Sequence, residues 1–549
     1  MWLSIDCVLS IHLSNSKGCL GVKIKRDLCY SVVQERTVRS GINSPVHFLL
    51  KTNSQRLFLV PKMRILVQPV QQICRSNFLP MFDDEEEDDG FYESHLKEDI
   101  EKLEAFQKNG ESIGFLDSDR WEVLIDHFLM NGMYNKALIC ANEAISQFSY
   151  NPLFSLRQAQ CYSALGKLKE SINILTELER MGNESFELLL TKASVFSQLK
   201  DAKNGIRYFK KALDVSNKED RDEVYLDLAM EYENLGDYKS ALAVLHDAIA
   251  YNPNNEAAIY EVAFCYDQLG EYESSIKCYS DFIDENPYSF TAWYNLGNAY
   301  LKMEKFEKAI WAYDYCTLIN DEFGPVYFNL GNAYLSVNKF TKAIESFDKS
   351  IELDGDDPVA LCYIGECHEQ LQELDLARHF YNRSLELAPL LPDAWLGLGI
   401  IEDLEGKTRE GIVMIQKAAE LDPENSGVYY VLAGAYEKLE EYQEAADYYQ
   451  LSLAIDPLDE ECLTDYINLL AMESLTDAID YLDLLERTDP KNESIPILRV
   501  NLLWKMGRKE DAILLFKDCV QENRDKAREL FDVYPELKNV TELVHLADN

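Results

Sequence analysis

From residue 118 onward one pattern returns every 34 residues, most plainly as AWYNLGNAY at 292–300 and VYFNLGNAY at 326–334. A fixed period of this length means that each unit is one supersecondary element too small to bury its own apolar face. Successive units must therefore stack and share a continuous core. That constraint outweighs length, since 549 residues would otherwise suit three or four separate domains.

Counting the first residue of each unit as slot one, slot eight is small: Ala159, Ala193, Ala229, Ala263, Gly297, Gly331, Gly365, Gly399 and Ala433. Slot twenty is small as well in most units, for example Ala137, Ser171, Gly205, Ala309, Ala343 and Gly411. Two small residues at these places let two helices approach closely and pack ridge into groove. Slots four, seven, eleven and twenty-four are large and apolar or aromatic, as in Trp293, Leu296, Tyr300 and Tyr313, and give each helix one apolar stripe. Proline recurs in slot thirty-two, at Pro253, Pro287, Pro389, Pro423 and Pro457, where its fixed φ and missing N–H end the second helix. Pro490 does the same one residue early.

These residues resemble the tetratricopeptide-repeat family, and the chain reads as a long tandem-repeat protein of the bacterial cytoplasmic type. The resemblance implies an all-α fold, a right-handed α-solenoid superhelix of about 12 tandem helix-turn-helix repeats. Units are expected to start at 118, 152, 186, 222, 256, 290, 324, 358, 392, 426, 460 and 493, making an array over 118–526. An acidic run and an N-terminal capping helix are expected over 81–117, with Leu96, Ile100, Leu103 and Phe106 on its apolar side, and a C-terminal capping helix over 527–549.

Residues 1–80 differ in kind, with eleven Lys and Arg against three acids and no helical period, whereas the whole chain has a formal charge of -43. One expectation is that the natural product starts at Met81; the other is a disordered or β-prone extension. Asp83 to Asp89 reads as a solvated tail, because seven adjacent carboxylates repel one another. So acidic a chain argues against nucleic acid and acidic membrane surfaces, which need clustered Lys and Arg. No stretch reaches the eighteen apolar residues of a membrane span. Thirteen cysteines without paired metal spacing read as reduced thiols, nine of them at helical packing positions, and place the chain in the cytoplasm.

Catalytic signatures are wanting, so no enzyme, cofactor or metal is expected. Gly397-Leu398-Gly399 lacks the third glycine of a dinucleotide fingerprint, Glu402 standing in its place within a helix. Cys362, Cys367, His368 and His379 are not spaced to point four ligands at one centre. Carboxylate pairs such as Glu402/Asp403 and Glu440/Glu441 are expected on solvated faces of so acidic a chain.

What remains is binding. In this family the first helix of each hairpin faces a concave groove, into which slots two, five, six, nine, twelve and thirteen project. The resemblance therefore implies a peptide-binding site at Tyr294, Asn295, Asn298, Phe328, Asn329 and Asn332. A ladder of asparagine amides there would grip the backbone of an extended peptide, with the two aromatic rings against its side chains. The alternative is that these asparagines serve local hydrogen bonding only. The family's basic clamp for a C-terminal carboxylate lacks its cations, since Ala257, Tyr260, Glu261, Cys362, Tyr363 and Glu366 stand at the matching slots. Acids at Glu261, Asp267, Glu366, Glu369, Asp393 and Asp403 lead us to expect neutral to basic peptide or protein partners. A substrate-recruiting or self-associating subunit of a larger assembly is the other expectation.

Overall fold

The computed structural model describes residues 89–109, 112–488 and 492–548, with side chains from residue 95 onward. The readings made of residues 1–80, and of the acidic run up to Asp88, lie outside the described residues.

Helices follow one another as hairpins, with no strand among the described residues. After α1 (Asp89–Asn109), first helices begin at Ser118, Pro152, Phe186, Arg221, Glu256, Phe290, Gly324, Pro358, Pro392, Ser426, Glu460 and Ser494, each followed by an antiparallel second helix. Below, a hairpin is called by the residue number at which its first helix starts. The central ones pair Glu256–Leu269 with Tyr272–Glu285, Phe290–Lys302 with Phe306–Ile319, and Gly324–Ser336 with Phe340–Asp354.

Local chemistry explains the punctuation. Asn151, Ser185, Asn255, Ser289, Asp357 and Asp459 cap first helices, their side chains accepting from backbone N–H groups of the first turn. Between the two helices of a hairpin one residue lies in the left-handed region: Gly132, Gly166, Gly236, Gly270, Gly406 and Gly507, but also Lys200, Glu304, Asn338, Gln372 and Glu440. All occupy slot fifteen. At the end of the second helix the residue before proline is extended, as at Asn252 (φ -124°, ψ 96°), which stops the helix before Pro253.

The core runs through the stack. Slot eight meets slot twenty-four inside each hairpin: a Cβ added to Gly331 would lie 2.6 Å from the Phe347 ring, and one on Gly365 would lie 2.8 Å from Tyr381. At these two hairpins slot eight has no room for a side chain, whereas Ala193, Ala263 and Ala433 stand in that slot where Phe209, Tyr279 and Tyr449 fill slot twenty-four. Slot-four aromatics tie hairpins together. The indole N–H of Trp293 donates to the Pro287 carbonyl at 2.9 Å, Trp395 to that of Pro389 at 2.9 Å, and the Tyr429 hydroxyl to that of Pro423 at 3.3 Å. Of nine described cysteines eight are buried and Cys278 is half-buried, all as free thiols.

Both ends of the array are covered. Leu96, Ile100, Leu103 and Phe106 of α1 pack on Trp121, Leu124 and Phe128 of the 118 hairpin, and the guanidinium of Arg120 donates to buried Asp99. At the other end, residues 524–548 form three short helices and a 3₁₀ turn. Phe531 and Leu537 join the core cluster of the last hairpins.

Candidate functional site on the first helices

Each second helix touches its own first helix and the first helix of the next hairpin, whereas first helices also touch one another from hairpin to hairpin. First helices therefore form one continuous face, and the polar side chains on it meet laterally.

At the N-terminal end Arg157 lies between three hairpins, its Nε 2.7 Å from Asp126 and its Nη1 bonded to Glu187. Burial lifts the carboxyl of Asp126 to about 6, partly opposed by the Arg157 charge. Burial works against the Arg157 charge, yet its two carboxylate partners hold the guanidinium above its ordinary range. In the next stretch acids go uncompensated. Partly buried Asp227 is pushed up to about 7, by burial first and then by Glu223 and Glu231 on its own helix.

The six residues singled out in the sequence divide by what they touch. Tyr294, Asn298 and Asn329 come together: Asn329 Nδ2 donates to Asn298 Oδ1 at 2.9 Å and to the Tyr294 hydroxyl at 3.1 Å. Asn298 Oδ1 also accepts from the hydroxyl of Tyr313 at 2.7 Å, a second-helix residue that the first-helix pattern did not single out. Burial lifts Tyr294 to about 12, so its hydroxyl stays protonated. Phe328 packs on Phe347 and Tyr363, with ring centroids 5.7 and 6.0 Å away. Asn332 is buried.

Asn295 stands apart. It is 7% exposed, and its buried Nδ2 has no hydrogen-bond partner in the protein. The cause is legible by comparing hairpins. Asn329, in slot six, finds acceptors at slots five and nine of the preceding hairpin; for Asn295 those slots hold Tyr260 and Phe264. A phenyl ring offers no lone pair, and the Tyr260 side chain is half exposed.

The acidic slots are mixed. Asp267 pairs with Lys302 at 2.8 Å, Asp403 with Lys438 at 3.0 Å, and buried Glu369 accepts from Tyr381 at 2.9 Å. At the C-terminal end the chain covers this face itself. The Tyr534 hydroxyl donates to Asn468 Oδ1 at 3.2 Å, and the Lys526 ammonium reaches Glu460 at 2.5 Å, both on the 460 first helix.

Among the described residues no group of His, Cys, Asp and Glu is arranged to hold a metal, and no helix is long and apolar enough to cross a membrane.

The family model described as tetratricopeptide repeat matches residues 325–357 and 426–459, and a further model so described matches 186–219 and 360–389. The chain is a tetratricopeptide-repeat protein. A model described as anaphase-promoting complex, cyclosome, subunit 3 matches residues 234–316 of the repeats. Anaphase-promoting complex subunit 3 of Schizosaccharomyces pombe is 23% identical over 168 residues, which cover 30% of this chain and 25% of the relative. The match thus spans a quarter of that relative's length. Among solved structures, the anaphase-promoting complex hetero-tetramer Cut9–Hcn1 is 16% identical with a TM-score of 0.37, covering 71% of this tetratricopeptide-repeat protein and 97% of that chain. Yeast Tom70 is 16% identical with a TM-score of 0.39, covering 79% and 99%. A repeat protein from Parabacteroides merdae is 17% identical with a TM-score of 0.39, covering 45% and 98%.

Proposed function

We propose that this chain is a non-enzymatic interaction scaffold that holds extended, neutral to basic segments of partner proteins along the face formed by its first helices. The observation that carries this reading is Asn295, a buried amide donor without a partner, set beside half-exposed Tyr260 on that face. A peptide carbonyl supplies the missing acceptor, and burying an amide without one costs about 1–3 kcal/mol. The rest of the ladder has a different part. Asn298, Asn329 and Tyr294 satisfy one another and hold neighbouring hairpins in register, so they shape the face rather than grip the ligand. Phe328 and Asn332 belong to the floor beneath it.

The basic preference follows from Asp227 and Glu223, for which a lysine or arginine of the ligand is the complement. Tyr534 and Lys526, held by Asn468 and Glu460, are an example within the chain of a hydroxyl and an ammonium seated on first helices. Nucleic acid and membrane partners do not suit such a face, and reduced cysteines suit the cytoplasm.

A second reading, a subunit of a larger assembly, is favoured by the match of residues 234–316 to the subunit 3 model. Affinity capture with the full chain and with a variant carrying Asn295→Leu and Tyr260→Ala tests the first reading. Proteins captured by the parent are expected to be lost on the folded variant. Unchanged capture would place binding elsewhere and leave the assembly reading.

A further inference from the structure

The opposite face, made by second helices, carries one aromatic cluster in the 290 hairpin. Trp293 is buried beneath it, stacked on Tyr315 with centroids 4.4 Å apart and meeting Trp311 edge-on at 5.0 Å. Trp311 and Tyr315, themselves 5.4 Å apart, are 47% and 41% exposed. Leu318 on the same helix and Tyr288 in the preceding turn are 81% and 85% exposed.

The neighbouring hairpins show what the fold itself asks for at these places. The slot of Tyr315 holds Lys211, Asp247 and Asp281 in preceding hairpins and Lys349, Arg383 and Lys417 in following ones; the slot of Trp311 holds Lys277 before and Glu345 after. Solvated charges thus suffice for stacking, and two aromatic rings here serve another end.

Elsewhere in the array rings carry cations of the chain's own, three of them half-buried and one, Tyr334, buried. Lys308 lies 5.6 Å over Tyr300, Lys342 5.3 Å over Tyr334, Arg383 5.8 Å over Phe380 and Lys509 4.9 Å over Trp504. Among the described residues no cation lies over Trp293, Trp311 or Tyr315. The segments that flank the cluster are acidic and exposed, with Asp284 and Glu285 at the end of the preceding second helix and Asp321 and Glu322 in the turn after Leu318. Of the cations on the flanking second helices, Lys342 is engaged by Tyr334 and Lys349 by Glu352, while Lys277 is exposed and lies over none of these three rings.

We infer that the Trp311–Tyr315 face of the 290 hairpin is a second docking site, separate from the first-helix face, and that it takes an arginine-bearing apolar segment of a partner protein. A guanidinium is planar and weakly hydrated, so it stacks on indole and phenol rings while its N–H groups reach the acidic rim. A second copy of this chain is a poorer occupant, because its formal charge of -43 repels the same rim.

The test uses the full chain and the peptide acetyl-Gly-Arg-Leu-Arg-Leu-Arg-Gly-amide, with lysine and glutamine versions as controls. The double variant Trp311→Glu and Tyr315→Lys transplants the residues that the 324 hairpin carries in the same slots, so the fold accepts them. The arginine peptide is expected to bind the parent several-fold tighter than the lysine one, and at least tenfold more weakly to the double variant. The double variant leaves Tyr260 and Asn295 untouched, so affinity lost on it belongs to this site and not to the first-helix face. With 5-fluorotryptophan in the parent, the resonance assigned to Trp311 shifts on titration, a readout independent of any variant. Equal affinity for parent and double variant, an unmoved Trp311 resonance, or no binding overturns the inference. So does concentration-dependent self-association in sedimentation that the double variant abolishes, since a second copy is then the occupant.

Discussion

Asn295 and Asn329 occupy the same slot of adjacent hairpins and meet opposite fates, because the preceding hairpin offers Asn298 to one and Phe264 to the other. This gives a prediction of opposite signs. Asn329→Leu leaves Asn298 and Tyr294 short of a bond and is expected to destabilise by about 1–3 kcal/mol, lowering the thermal midpoint. Asn295→Leu removes an unsatisfied donor with little change of volume, and its midpoint is expected to hold or rise. Thermal scans followed by circular dichroism read both, and a fall on Asn295→Leu would mean that the amide is satisfied within the fold. The sequence made the asparagines visible as a repeat but not their sorting into lock and free donor. That sorting depends on which side chain of the neighbouring hairpin faces each amide, and on Tyr313, which reaches Asn298 from a second helix.

The hairpin itself was legible to a large degree. Small residues at slots eight and twenty and proline at slot thirty-two are direct imprints of close helix contact and of helix termination, and the structure uses them so at Gly331 and Pro253. The left-handed residue of slot fifteen was not legible, since a glycine motif is obscured where Lys200, Glu304, Asn338, Gln372 or Glu440 takes its place. Those residues bear a steric cost of about 1–2 kcal/mol that glycine avoids, against about 0.5–1 kcal/mol for its extra freedom when unfolded. Gln372→Gly and Glu440→Gly are each expected to stabilise by about 0.5 kcal/mol, and to add, being two hairpins apart. Denaturant midpoints check this; a loss of stability would show that the side chain at this turn does something in the fold. The bond from Trp293 to the Pro287 carbonyl was equally hidden, because slot four reads only as apolar until the ring's N–H is placed.

At the scale of the molecule, fold class was readable from periodicity, whereas the balance of charge on each face needed coordinates. Acids cluster where no cation answers them. Burial lifts Glu369 to about 7, against a weaker opposing hydrogen bond from Tyr381, and Asp227 also stands at about 7. These folded values lie above the unfolded ones, so the folded state binds protons more tightly. The stabilisation is fully present below the unfolded pKa of about 4 and is lost as pH rises through 7. Groups shifted the other way, such as Glu179 at about 2, lose their contribution only at lower pH. The thermal midpoint is therefore expected to fall between pH 5 and 8, and Glu369→Gln to flatten part of that slope. A midpoint that rises across this window would contradict the assignment.

Partners are expected to sit on the first-helix face. The most direct measurement is photo-cross-linking in the host cell from p-benzoylphenylalanine placed at Tyr260, on that face, or at Tyr150, which is 99% exposed in a turn away from it. Covalent adducts to discrete proteins are expected from position 260 and not from 150, and Asn295→Leu is expected to reduce them. Adducts that form equally from both positions, or that ignore Asn295→Leu, would contradict the claim.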